Sequence, residues 1–119
     1  MRDFQKFDVW QLGMDIAYRV FELFGSIPLQ QMGFKIRDQA TDAACSVPSN
    51  IAEGSAHRSE KQKYHYLEIA LGSSFELQTR LLIVQNRKWA HAGTMEKLLA
   101  DLDLEQKKLV AFMAKFDQG

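Results

Sequence analysis

An all-α fold, an antiparallel up-down-up-down four-helix bundle, is what this sequence predicts, and three observations carry that expectation. Four segments of similar length place apolar residues at spacings of three and four, the period of a helix with a buried face. No stretch alternates apolar and polar residues with the period of two that marks a half-buried strand. Only two prolines and seven glycines interrupt 119 residues, too few for the many turns of a sheet protein. The connectors between the four segments are short, which favours antiparallel neighbours.

The first helix is expected over about residues 8–25, with Asp8 as N-cap, Gln11 as its capping-box partner and Gly25 as the stop. Val9, Leu12, Ile16, Val20 and Leu23 form one apolar stripe. Trp10, Met14, Ala17, Phe21 and Phe24 form a second beside it. A helix on the outside of a small monomer needs only one such stripe. The second predicts burial against another surface, either a crowded core or another subunit. Trp10, Met14, Phe21 and Phe24 are the candidate interface residues.

Ser26 to Gly33 reads as a connector, with Pro28 opening a turn or a short helical start. The second long helix is expected from about Phe34 to Ala56, with Ile36, Ala40, Ala43, Ala44, Val47 and Ile51 on its core face. Alanine at these positions lets a neighbouring backbone approach closely. Pro48 sits inside this helix. A proline there removes one backbone donor, frees the carbonyl of Ala44 and costs roughly 3 kcal/mol, so a kink or break is expected nearby. Ser46, Ser49 and Asn50 are the side chains able to re-satisfy the backbone.

Ser59, with Gln62 three positions on, opens the third helix as a capping box. It runs to about Lys88, with Tyr64, Leu67, Ala70, Leu71, Phe75, Leu77, Leu81, Leu82 and Val84 on its apolar arc. His65, Glu68, Gly72 and Glu76 lie opposite, and Ser73 lies near the edge. Thr94 is the expected cap of the fourth helix. Met95, Leu98, Leu99, Leu102, Leu109, Met113 and Phe116 carry that helix to about Asp117.

Length and composition narrow the classes of function. A chain of 119 residues, 46% hydrophobic, is expected to form one domain over residues 1–119. Fifteen basic residues balance fifteen acidic ones, unlike a strongly basic nucleic-acid binder. One cysteine excludes an internal disulfide and a multi-cysteine metal site. With Arg2, Asp3, Lys6 and Asp8 near its start, no signal peptide is expected. No apolar run approaches the roughly 18 residues of a membrane span. A cytoplasmic protein that neither enters a membrane nor carries a cofactor is the expectation.

Gln39 to Ser59 reads Q-A-T-D-A-A-C-S-V-P-S-N-I-A-E-G-S-A-H-R-S. Its S-x-P-x-N-I-A-E-G core resembles the signature of a bacterial four-helix-bundle family first found encoded in intervening sequences of large-subunit ribosomal RNA genes. Ile69-Ala70-Leu71-Gly72-Ser73 with Phe75-Glu76-Leu77, and the opening Phe7-Asp8-Val9-Trp10, match the same family. The resemblance implies a bundle that assembles into a ring, commonly a pentamer, with no established activity. A related branch, the accessory proteins of diversity-generating retroelements, is basic and implies nucleic-acid binding. Here Thr41 and Asp42 replace two arginines of the family pattern, and Leu71 replaces a basic residue. Each phosphate contact rests on a cation, so these replacements weigh against that activity.

Two groups of residues stand out as sites. Gln39, Ser46, Asn50 and Glu53 line up beside the core face of the second long helix, with Ser73 and Glu76 opposite on the third. They form either a structural polar network or a ligand or catalytic pocket. The structural reading is favoured, because a partly buried carboxylate such as Glu53 needs the partners that Asn and Ser supply. Glu53 and Glu76 have Arg37, Arg58 and Arg80 as alternative partners. The second group is His57, Arg58, Lys61, Lys63 and His65, interleaved with Tyr64 and Tyr66. It is either a nucleic-acid-binding rim or a solvated loop with a first helical turn, and the solvated reading is favoured. No catalytic residue and no metal site is expected. Cys45 has no histidine near it in sequence, and the paired Glu-x-x-His motifs of bundle di-metal sites are missing.

Overall fold

The computed structural model describes residues 3–117; Arg2 lies outside that range. The described residues form a short 3₁₀ turn, Phe4–Lys6, and five α-helices: α1 (Asp8–Gly25), α2 (Leu29–Met32), α3 (Phe34–Ala56), α4 (Glu60–Arg87) and α5 (Ala92–Met113). A 3₁₀ turn, Ala114–Phe116, follows α5. No strand occurs among the described residues. The long dimension of 46 Å is that of α4 itself, since 28 residues at a rise of about 1.5 Å each span about 42 Å.

The four long helices pack around a square. α1 contacts α3 and α5, and α4 contacts α3 and α5. Side-chain pairs climb one helix as they descend its neighbour. On α1 and α5 these are Asp8 with Lys108 and Arg19 with Asp101. On α3 and α4 they are Gln39 with Arg80 and Ser46 with Ser73. The core has two parts. One holds Val20, Leu23 and Phe24 of α1 with Ala40 and Ala44 of α3, Leu77 and Leu81 of α4, and Leu98 and Leu102 of α5. The other holds Val9, Val47, Ile51, Leu67, Ala70, Leu109 and Phe116. Burying each of the larger side chains contributes about 1.5–3 kcal/mol.

The small residues of α3 explain its close approach to α4, which is the most extensive contact in the molecule. Ala40, Ala43 and Ala44 are all buried. α3 is also unbroken: the helix continues through Pro48, which is itself buried. Gly33 enters α3 with φ of 82°, a backbone setting that only glycine adopts freely.

Helix ends differ from expectation in three places. Asp8 is the first residue of α1 and does not cap it; Phe7 holds the cap position in extended conformation, and Gln11 donates instead to the Gln5 carbonyl (2.8 Å). Gly25 is the last helical residue, and Ser26 closes α1 with right-handed backbone. α5 begins at Ala92 with His91 as its cap, its Nδ1 accepting from the Gly93 amide, so Thr94 already lies inside the helix. Ser59 does cap α4, accepting from the Gln62 amide at 3.3 Å. Phe75 and Leu82, assigned to the core arc of α4, are exposed. An arc that wide on one helix cannot all face two neighbours.

Candidate functional site

The polar stripe on α3 resolves into separate pieces. Ser46 and Ser73 meet across the α3–α4 seam, Oγ to Oγ at 2.7 Å. Asn50 donates to the Ser46 carbonyl at 2.8 Å and to Ser46 Oγ at 2.9 Å. Ser46 Oγ thus meets both the Asn50 amide and the Ser73 hydroxyl. Asn50 therefore satisfies the carbonyl of Ser46, not that of Ala44. Gln39 stands apart, accepting from Arg80 Nε at 3.2 Å. Glu53 is not a partly buried carboxylate; its side chain is 58% exposed and faces His57 at 3.8 Å. Glu76 is exposed and lies outside the cluster. Arg37 pairs with its neighbour Asp38 rather than with Glu53 or Glu76. The cluster that remains, Ser46, Asn50 and Ser73, is a hydrogen-bonded clasp between two helices.

The second apolar stripe of α1 opens onto a groove. Trp10, Met14, Ala17, Tyr18 and Phe21 of α1 form one wall, and Cys45, Pro48, Ser49 and Ala52 of α3 form the other. Phe21 is 51% exposed and Tyr18 is 62% exposed. Trp10 is half-buried, in a T-shaped contact with Phe4, ring centroids 5.3 Å apart. Phe24, read as an interface residue from sequence, is buried at 3% exposure, packed into the core that holds Ile27, Ala40 and Ala44. Tyr18 is the groove residue that the spacing argument missed. It belongs to neither stripe, and only its position between Met14 and Phe21 on the finished surface reveals it. Further exposed apolar side chains stand on α4 and α5, namely Ile69, Phe75, Leu82, Ile83, Leu104 and Val110.

At the α3–α4 corner, Arg58, Lys61 and His65 are exposed. The other two members of the candidate rim are engaged internally. His57 stacks on Tyr66 with ring centroids 4.9 Å apart, and Lys63 donates to the His57 carbonyl. Tyr64 is half-buried against the lower core. The corner is thus partly a fixed turn and partly an exposed surface carrying Arg58 and Lys61.

Sequence reading missed one group entirely. Glu105 of α5 is fully buried, and neither carboxyl oxygen has a hydrogen-bond partner among the described residues. Burial pushes this carboxyl up to about 8, with Lys108 pulling it down and Asp8 pushing it further up. The signal was present in the spacing: Leu98, Leu102, Glu105 and Leu109 fall on one helical line, and the third of them is the acid. Nothing nearby makes a metal site of it. Among the described residues no three His, Cys, Asp or Glu side chains gather closely enough to hold an ion. No helix among them is long and apolar enough to cross a membrane.

Comparison with known proteins accords with this geometry. A solved structure of a protein of unknown function from the S23 ribosomal protein family of Bacteroides thetaiotaomicron superimposes with a TM-score of 0.82. The match covers 88% of this chain and 97% of that one at 21% identity, a likeness of fold alone. No curated protein matches the chain. Residues 5–111, which include the α3 signature, both walls of the groove and Glu105, match the family of 23S rRNA-intervening sequence proteins. The chain therefore belongs to the 23S rRNA-intervening sequence protein family.

Proposed function

We propose that this chain is a single, non-enzymatic, antiparallel four-helix-bundle domain that self-associates into a homo-oligomeric ring, commonly a pentamer in its family, and works in the cytoplasm as an assembly or adaptor module for a protein partner. The groove between α1 and α3 carries the reading. Exposed aromatic side chains rimmed by polar residues mark protein contacts, whereas scattered single apolar residues do not. A ring needs two different complementary faces on each copy. The exposed Phe75, Leu82 and Val110 on α4 and α5 supply apolar surface away from the groove. The clasp of Ser46, Asn50 and Ser73 holds α3 against α4 and keeps the wall of the groove in place.

Light scattering on the purified protein at micromolar concentration tests this. The wild type should have a mass several times that of one chain, and Phe21→Asp should be monomeric with unchanged helical circular dichroism. A wild-type protein that is monomeric at that concentration overturns the proposal.

A second reading is a nucleic-acid-binding accessory protein, supported by the exposed Arg58, Lys61 and His65 at the α3–α4 corner. Weighing against it are the internal engagement of His57 and Lys63 and the loss of basic residues at Thr41, Asp42 and Leu71. If it holds, binding to RNA or DNA at low ionic strength weakens steeply with added salt, and Arg58→Ala with Lys61→Ala reduces it. Absence of salt-sensitive binding removes this reading.

A further inference from the structure

Glu105 has no part in either reading above. It occupies a core position of α5 on the same line as Leu98, Leu102 and Leu109, with 0% exposure. Neither oxygen has a hydrogen-bond partner among the described residues. A bare carboxylate held away from water and counter-charge is among the least favourable groups a core can contain; the neutral acid is far less so.

Its surroundings are shaped for the acid. A Cβ on Gly13 would stand 2.8 Å from Glu105 Oε2, 3.6 Å from Val47 Cγ1 and 3.7 Å from Pro48 Cβ. The missing side chain of Gly13 is thus the space that the carboxyl occupies, where α1, α3 and α5 meet. Pro48 lies on this same seam and lacks the N–H that would bond the Ala44 carbonyl one turn earlier. Pro48 brings no backbone N–H to this seam, so a carboxylate there has one possible donor fewer, which favours O–H over O⁻.

We propose that this three-helix seam is built around the neutral carboxylic acid of Glu105, and that ionising Glu105 parts α1 from α3 and α5 at Gly13. The charged groups acting on it are Asp8 from α1 and Lys108 from α5, which pair with each other at 2.7 Å; α3 and α4 present none that acts on it. The elevated titration of this carboxyl, caused by burial, places the change just above neutral pH. Pro48 also forms part of the wall of the outer groove, so the proton sits directly beneath that surface.

Carbon-13 NMR of glutamate-labelled protein reads the carboxyl directly. The resonance that disappears in Glu105→Gln should titrate with a midpoint near 8, well apart from the other glutamates. Amide exchange around Gly13 provides the second readout. At pH 8.5 it should be about tenfold faster in the wild type than in Glu105→Gln, and at pH 6 the two should agree. Glu105→Leu, which completes the leucine line of α5, serves as the reference where the glutamine variant does not fold. A Glu105 carboxyl already ionised at pH 6, or equal exchange at pH 8.5, overturns the proposal.

Discussion

Asn50 and Gly13 show what single side chains do in this bundle. Asn50 makes two hydrogen bonds to one residue, the Ser46 carbonyl and hydroxyl, at the half-buried edge of α3. Removing it leaves the Ser46–Ser73 pair without its third member. Asn50→Ala is expected to lower stability by roughly 1–3 kcal/mol, read as a drop in chemical-denaturation midpoint with unchanged slope; an unchanged midpoint would move Asn50 out of any structural role. Gly13 is the clearer test of packing. A Gly→Ala change in a helix interior normally stabilises by up to about 1 kcal/mol. Here the new methyl would meet Glu105 Oε2 at 2.8 Å, so Gly13→Ala should destabilise by about 1–3 kcal/mol. In a Glu105→Ala background the sign should reverse. A double-mutant cycle showing no coupling would mean that the carboxyl has room to turn away.

At the scale of the element, the caps distinguish what sequence spacing can and cannot reveal. Ser59 was legible because the Ser-x-x-Gln pattern sits at a break in the apolar period, and the hydroxyl does accept from the Gln62 amide. Thr94 is a residue type that favours caps, yet His91 takes the cap, its ring accepting from the Gly93 amide two residues on at 3.1 Å. The consequence is measurable. Ser59→Ala should cost about 0.5–2 kcal/mol, whereas Thr94→Ala should change the thermal midpoint by little more than its error. The long helices were legible for a stronger reason. Each repeats its apolar stripe over several turns, so α1 and α3 were placed by sequence alone over the residues they occupy. Pro48 was legible as a cost but not as a geometry, because a proline pattern cannot say whether packing holds the helix together. Here burial of Pro48 among α1 and α3 neighbours lets the helix run on. Glu105 was hidden for the opposite reason. A pattern reader skips a charged residue on an apolar line, although that mismatch is itself the information.

For the whole molecule, the buried acid and the surface ion pairs set opposing pH dependences. Arg19 bridges α1 and α5, reaching Asp101 at 2.7 Å and Asp15 at 3.0 Å; hydrogen bonding to Arg19 holds the Asp101 carboxyl below its ordinary range. Asp8 is lowered in the same way by Lys108. Depressed carboxyls give stability that is present above their ordinary titration near 3.8 and is lost as pH falls through the lower native value. Asp8 is largely exposed, so its share is small. Glu105 acts in the reverse sense. Its native value, raised to about 8 from 4.5, gives stability that is complete below 4.5 and declines as pH rises toward 8, by an amount on the order of a few kcal/mol. The two effects leave a maximum on the acid side of neutral. Thermal melts between pH 3 and 9 should therefore peak near pH 5 and decline steadily to pH 8. In Glu105→Gln the acid limb should remain while the decline above pH 5 disappears, because an amide has no proton to lose. A wild-type profile that keeps rising to pH 8 would mean that Glu105 is already ionised and paired in solution, and the neutral seam would fall with it.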